Sequence, residues 1–265
     1  MTPIVADVRG HGPPVVLLHG QPGSAADWGP LRRLLEDDYT VIVPDRPGYG
    51  RTGGTALGFR GNADAIADLL DRYGISSATI VGHSWGGGVA IALAEGHPGR
   101  VAGLVLVSSI GPGDPLSRLD RLLAIPPVGT AIAAVVLNAA GLVLSLAAVR
   151  RYIDRRVRGT NDESLAAMAD AWRAGKVWRS YVIEQRALVY ELPGLAPGMA
   201  WIQAPTAVLI GGADHVVPPA SGERLAASIP GARLTCLAGV GHLLAHEQPE
   251  VVAAAVVEVM GRESA

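Results

Sequence analysis

The pentapeptide Gly82-His83-Ser84-Trp85-Gly86 follows the apolar run Thr79–Val81 and precedes the helix-forming run Val89–Glu95. A serine on so sharp a strand-to-helix turn is lifted clear of the sheet edge and set above a helix N-terminus, as a nucleophile must be. Glycines on both sides are required because side chains there would collide with the neighbouring strand and helix. Gly87 and Gly88 let the helix that follows pack closely.

A serine hydroxyl is a weak nucleophile until a base takes its proton. Seven histidines compete for that role, and placement selects His242. The segment Gly239-Val240-Gly241-His242 follows the last apolar strand and precedes the last helix, so it hangs from a loop at the carboxyl edge of a sheet. His246 is the alternative base, although its position suits the start of the following turn. The imidazole needs an acid on its other nitrogen to fix the tautomer and steady the developing cation. Asp214, just past the penultimate strand, completes the order Ser84, Asp214, His242 expected for a serine at such a turn. Asp114 is the fallback acid, and the other reading of Asp214 is a turn aspartate that binds its own backbone.

A tetrahedral intermediate needs backbone donors where its oxyanion forms. The N–H of Trp85, next to the nucleophile, is one. The N–H of Gln21, in the loop His19-Gly20-Gln21-Pro22-Gly23, is the other. His19 holds that loop rather than reacting. A phosphate-cradling reading fails because no lysine follows at the required spacing. Cys236 is the only cysteine, which removes an intramolecular disulfide and a multi-cysteine zinc site. Acyl transfer by this set needs neither metal nor organic cofactor.

The elements that must hold these residues can be read from hydropathy. Short runs at Val15–Leu18, Thr40–Val43, Thr79–Val81, Gly103–Val107, Thr206–Ile210 and Arg233–Leu237 are nearly continuous in apolar character, as in strands buried on both faces. Helical patterns lie between them. Asn62 is placed to cap a helix bearing Ile66, Leu69, Leu70 and Tyr73 on one face, with Gly74 as its stop. Helices are also expected from Pro219 to Ser228, and from Pro249 through Val251–Met260. The alternation predicts an α/β fold: a mostly parallel central sheet with helices on both faces. It breaks between residues 111 and 200, where helical segments dominate: one capped by Asn161 and running through Trp172, another over Val177–Glu191. Residues 1–110 and 201–265 are therefore read as the core domain. Residues 111–200 are read as a helical cap over the carboxyl edge, and any substrate-binding residues beyond the triad are sought there.

One stretch of the cap stands out. From Leu122 to Val149 there is no charged residue, a length that could cross a membrane. The strands on either side must share one sheet, so a transmembrane span is not expected. Pro126-Pro127, Gly129 and Asn138–Gly141 are expected to break the run into two short helices, buried against the main domain. Its functional uses would be an apolar substrate lining, a homodimer contact or a surface that touches lipid.

Only 17% of residues are charged and the net charge is −2, which gives no footprint for nucleic acid. The N-terminus lacks the succession of a secretory signal, so the expected compartment is the cytoplasm.

The segments His19-Gly20-Gln21-Pro22, Pro44-Asp45-Arg46-Pro47-Gly48-Tyr49-Gly50, Gly82–Gly87, Gly211-Gly212-Ala213-Asp214 and Gly241-His242 together resemble the α/β-hydrolase superfamily, in its serine-nucleophile branch of esterase, C–C hydrolase and epoxide-hydrolase-like sequences. The resemblance covers nearly the whole chain outside the cap. It implies that Asp45–Gly50 is a structural turn near the active site, with Arg46 and Tyr49 as pocket neighbours. The His-Gly-x-Pro loop resembles that of epoxide hydrolases and dehalogenases, but those families attack with aspartate and Ser84 stands at that place here. Both activities are therefore set aside. Within that superfamily the leading expectation is an esterase or lactonase, and the apolar composition of the cap points to an apolar small molecule as its substrate. A C–C bond hydrolase of a diketone-type substrate and a proline-iminopeptidase-like peptidase are the enzymatic alternatives, and a small-molecule receptor that retains the triad is the non-enzymatic one.

Overall fold

The computed structural model describes residues 3–155, 162–174 and 177–263. Its strands are β1 (Ala6–Arg9), β2 (Pro14–Leu18), β3 (Thr40–Pro44), β4 (Ala78–His83), β5 (Val101–Val107), β6 (Thr206–Gly211) and β7 (Arg233–Leu237). They form one sheet in the order β1-β3-β2-β4-β5-β6-β7. All pairings are parallel except β1 with β3.

The side chains of the inner strands alternate between two apolar layers, as the pleat requires. Val16, Leu18, Ile80, Leu104, Leu106 and Val208 face one layer, with helices α2 (Phe59–Arg72) and α3 (Trp85–Gly96). Val15, Leu17, Val81, Val105, Val107 and Leu209 face the other, with α1 (Gly29–Leu35) and the C-terminal helix α12 (Pro249–Glu263). The expected sheet with helices on both faces is the sheet observed.

The six expected strands are present, and three details differ. The antiparallel edge strand β1 is additional; its alternating, half-buried residues lack the continuous apolar run of a central strand. β7 is exposed along most of its length, because an edge strand needs no cover on both faces. Asn62 is not the cap of α2. It is buried within the helix, and its side-chain amide donates to the carbonyls of Leu57 and Gly58 at 2.8 and 2.9 Å, while Gly58 holds the cap position.

Between the adjacent strands β5 and β6 the chain builds α4 (Arg118–Leu123), α5 (Val128–Leu144), α6 (Ala147–Asp154), α7 (Asp162–Ala174), α8 (Val177–Tyr190) and α9 (Ala196–Met199). The expected cap of α7 at Asn161 lies outside the described residues. Pro126-Pro127 does separate α4 from α5, but Asn138–Gly141 does not break α5. The Asn138 amide donates to the carbonyl of Ala134 at 2.6 Å, one turn back. Gly141 lies where a β-carbon would meet Trp172 and Arg173 at 3.1–3.2 Å, so it seats α5 against α7. Nor is the uncharged run buried against the sheet. α5 packs on α4, α6, α7 and α8, and Val135, Val136, Leu142 and Val143 remain 49–70% exposed. Among the described residues no single helix is long and apolar enough to cross a membrane.

After β6 the chain continues through α10 (Pro219–Ser228), β7 and α11 (Leu244–Glu247) to α12.

Candidate active site

Ser84 sits between β4 and α3 with φ 52° and ψ −118°, a backbone conformation that a non-glycine residue rarely adopts. Its neighbours explain why the chain tolerates it there. A β-carbon on Gly82 would lie 2.6 Å from the Gly86 carbonyl oxygen, and one on Gly86 would lie 2.3 Å from that of Leu18. On Gly88 it would lie 2.5 Å from the Phe59 ring. The Ser84 N–H donates to Val107 at 3.0 Å, and the Ser84 carbonyl accepts from Gly87 at 3.0 Å. The elbow is thus pinned to β5 on one side and to its own helix on the other.

His242 and Asp214 meet from the loops after β7 and β6. Nδ1 of His242 lies 2.8 Å from Oδ2 of Asp214. The second carboxylate oxygen, Oδ1, accepts the N–H groups of Val216 and Val217, each at 2.8 Å. Asp214 is therefore both a turn aspartate and the partner of the histidine, with one oxygen for each role. Burial by itself would raise its pKa, but the hydrogen bonds from His242 and the two amides outweigh it and hold the carboxyl below its ordinary value. Asp114, the fallback, is occupied elsewhere: it accepts from the Gly111 N–H at 2.9 Å and from Arg224 at 2.7 Å. His246 lies on α11, and the histidine that meets Asp214 is His242.

Two residues that sequence reasoning did not single out steady His242. Nε2 of His83 lies 3.0 Å from the His242 carbonyl oxygen, so it must carry the proton and donate. Burial and the neighbouring His242 hold the pKa of His83 down at about 3, which keeps the ring neutral. Glu247 accepts the Gly241 N–H at 3.2 Å. Only the position of His83 beside the nucleophile could have hinted at its role; Glu247 left no signal.

The loop with Gln21 is clamped from below. Nε2 of the buried His19 accepts the Arg46 N–H at 3.0 Å, so Nδ1 holds the proton and donates to the Gly20 carbonyl at 2.9 Å. Burial and the Arg46 charge keep the pKa of His19 well below its usual value. The Arg46 guanidinium donates to the carbonyls of His19 and Gly20 at 3.0 and 2.8 Å, and pairs with the buried Glu184 of α8. Tyr49 donates to the other oxygen of Glu184 at 2.6 Å. Burial is the main cause that raises the Glu184 pKa, offset in part by Arg46. Arg46 and Tyr49 thus tie the loop after β3 to α8; neither lines the cavity at Ser84, but Arg46 stacks at 4.6 Å on the ring of Trp85, which does.

That cavity has a volume of about 570 Å³. Ser84, His242, Gln21 and Trp85 all line it, so the expected nucleophile, base and oxyanion donors open on one space, with Asp214 buried behind the histidine. Trp85 is the first residue of α3, where a helix leaves its N–H without an internal partner. The segment between β5 and β6 contributes Pro115, Leu116, Ser117, Asp120, Tyr181, Gln185 and Leu188. None of residues 122–149 takes part among the described residues, so the uncharged run does not line this cavity. The side-chain amide of Gln21 donates to the Tyr181 carbonyl at 2.9 Å, and that of Gln185 to Asp120 at 2.9 Å. Among the described residues no cluster of histidine, cysteine, aspartate and glutamate is arranged to hold a metal ion.

Comparison with known proteins places this arrangement. A family model described as the alpha/beta hydrolase family matches residues 15–255. A non-heme haloperoxidase from Rhodococcus erythropolis is 30% identical over 249 residues, which are 88% of this chain and 86% of that protein. Among solved structures, a thermophilic esterase from Thermogutta terrifontis superposes with a TM-score of 0.78 at 25% identity, over 99% of this chain and 94% of the other. Est816, described as an N-acyl homoserine lactone degrading enzyme, superposes with a TM-score of 0.71 at 29% identity, over 96% of both chains.

Proposed function

Because this chain belongs to the alpha/beta hydrolase family, we propose that it is a serine hydrolase that cleaves a carboxylic ester or lactone of an apolar small molecule through an acyl-enzyme. The observation that carries this reading is the conjunction of Ser84, held at φ 52°, with the Asp214–His242 pair, around one cavity. The similarity to the Thermogutta terrifontis esterase and to the lactone-degrading Est816 supports the same class of substrate. The walls are mixed: Ile110, Leu116, Leu188, Val216 and Val217 can take an apolar body, and nine polar side chains among the lining residues can hold polar groups of the same molecule.

In the proposed reaction His242 takes the Ser84 proton as Oγ attacks the carbonyl carbon, and the carbonyl π-electrons move onto oxygen. The N–H groups of Gln21 and Trp85 stabilise that oxyanion. As the intermediate collapses, the bond to the leaving oxygen breaks and His242 gives that oxygen its proton, which leaves the acyl group on Ser84. Water then attacks the acyl carbon with His242 again as base, and the acid and free Ser84 are regenerated. Asp214 remains ionised throughout and stabilises the imidazolium.

The experiment is reaction with a fluorophosphonate and detection by intact mass and peptide mapping, beside turnover of p-nitrophenyl esters of increasing chain length and of an acyl lactone. One adduct, on Ser84, with ester or lactone turnover that Ser84→Ala abolishes, is the expected result. An unlabelled Ser84 with no turnover would sink the reading and favour a ligand-binding role for the same pocket. Turnover of a vinylogous diketone with esters left intact would replace it with C–C bond hydrolysis.

A further inference from the structure

The helix α5 carries no charged residue, and its two sides differ in surroundings rather than in chemistry. Gly129, Ala133, Leu137 and Gly141 face inward. Val128, Val135, Val136, Leu142 and Val143 face outward and are 44–70% exposed. Leu119, Leu122 and Ile125 from α4 and the turn after it extend the exposed apolar surface at one end, and Leu146 extends it at the other, all 40–57% exposed. Asn138 is the one amide on the exposed face, and it is bonded back to the Ala134 carbonyl; a helix so nearly apolar all round is ordinarily enclosed by protein or by lipid, and the catalytic cavity makes no use of this face.

The charges that the chain carries around this surface are mainly positive. Residues 118–155 contain five arginines against two aspartates, in a chain whose net charge is −2. Arg118 and Arg121 on α4, and Arg151 and Arg155 at the far end, are exposed. Of the two acids, Asp120 is turned inward onto Gln185, while Asp154 is exposed beside Arg151 and Arg155 and leaves that end with a net positive charge. The rest of the molecule is correspondingly acidic.

We propose that this face of the cap docks on an anionic lipid surface, with α5 lying in the interface and the arginines of α4 and α6 at the level of the headgroups. An apolar face rimmed by arginine suits that surface on both counts, burial of apolar area and attraction to negative headgroups. A second copy of the chain suits it less well, because a two-fold contact would bring like-charged rims together. The site and the surface share α4: Ser117 and Asp120 line the cavity, while Leu119 and Leu122 are on the exposed face. If the ester-hydrolase reading holds, the docked enzyme takes its apolar substrate from the lipid; the docking itself does not depend on that reading.

The test is co-sedimentation of the full chain with phosphatidylcholine vesicles, with and without one-third phosphatidylglycerol, at low and high salt, beside light scattering of the protein alone. Binding to the phosphatidylglycerol vesicles is expected, weakened by about 100-fold in the double variant Val135→Asp/Leu142→Asp. Each arginine near the surface should contribute about fivefold, so Arg118→Glu/Arg121→Glu should bind more weakly while it keeps the apolar face intact. Circular dichroism and hydrolysis of a soluble ester check that both variants fold. The proposal is overturned if neither vesicle is bound, if both are bound equally, or if Val135→Asp/Leu142→Asp binds like the parent. A dimer that this double variant converts to monomer, without vesicle binding, would overturn it in favour of a second copy.

Discussion

Arg46 and Glu184 form an ion pair with both side chains at 0% exposure, and it joins the loop after β3 to helix α8. The same guanidinium holds the carbonyls of His19 and Gly20, immediately before the Gln21 amide assigned to the oxyanion. Removal of one partner leaves the other charge buried without compensation, which typically costs about 3–5 kcal/mol. Glu184→Gln should therefore lower stability by that order. It should also lower kcat by about 100-fold, because the donor loop loses its support. The double variant Arg46→Met/Glu184→Met should recover much of the stability and little of kcat. Urea unfolding and steady-state kinetics on the same preparations separate the two effects, and equal recovery of both would show that the pair merely holds the fold together.

The two aspartates beside the cavity should separate cleanly. In Asp214→Asn the remaining carbonyl oxygen can still serve the Val216 and Val217 amides, but the amide group would face Nδ1 of His242 and favour the wrong tautomer. A loss in kcat of about 10⁴-fold is expected, with little change in fold. Asp114→Asn weakens a partly buried pair with Arg224, so it should cost about 1–2 kcal/mol and leave kcat near the parent value. The reverse pattern in a pH-controlled ester assay would move the acid to Asp114.

What the sequence disclosed of this site follows from where the constraints are local. The elbow is written in contiguous glycines because each meets a backbone or ring atom at once, so Ser84 could be placed from spacing alone. His242 and Asp214 follow from the order of strands and loops. The clamp could not be read so, since Arg46 and Glu184 are far apart in the chain and nothing near either of them says that they meet. Asn138 and Gly141 misled for the opposite reason. Both are helix breakers by local preference, but a hydrogen bond to Ala134 and close packing on Trp172 override that preference in α5. The edge strands were misjudged because burial on both faces is a property of central strands alone.

His83 makes acid stability a test of the site's architecture. Its folded pKa of about 3 lies below the ordinary 6.5, so on acidification the unfolded chain takes up a proton that the folded one refuses. Stability is then fully present above pH 6.5 and falls as the pH drops toward 3, by up to about 1.4 kcal/mol per pH unit for this group. His19, shifted in the same direction, adds to the slope. His83→Gln keeps a donor for the His242 carbonyl and removes the titration, so its stability should fall less steeply in urea unfolding at pH 7, 6, 5 and 4. Parallel curves for parent and variant would mean that His83 takes up its proton as readily in the folded protein as in the unfolded chain, and its burial as a neutral donor would have to be given up.

Gly86 packs the turn at Ser84 directly against the chain that leads from β2 to Gln21. A β-carbon there would lie 2.3 Å from the Leu18 carbonyl oxygen and 2.5 Å from that of His19. Both are backbone atoms, so they can yield only if β2 and the loop after it move away from α3. Overpacking of this kind usually costs about 1–3 kcal/mol, and Gly86→Ala should show at least that in thermal or urea unfolding. Catalysis should suffer more than stability, because the displaced His19 carbonyl is the one Arg46 holds and the next turn of chain carries the Gln21 amide. Gly99→Ala, where a β-carbon meets nothing within 4 Å, is the control and should be neutral in both assays. If Gly86→Ala folds with reduced stability but unaltered kcat, the loop absorbs the shift without moving its donor, and the second oxyanion contact must come from a group other than the Gln21 N–H.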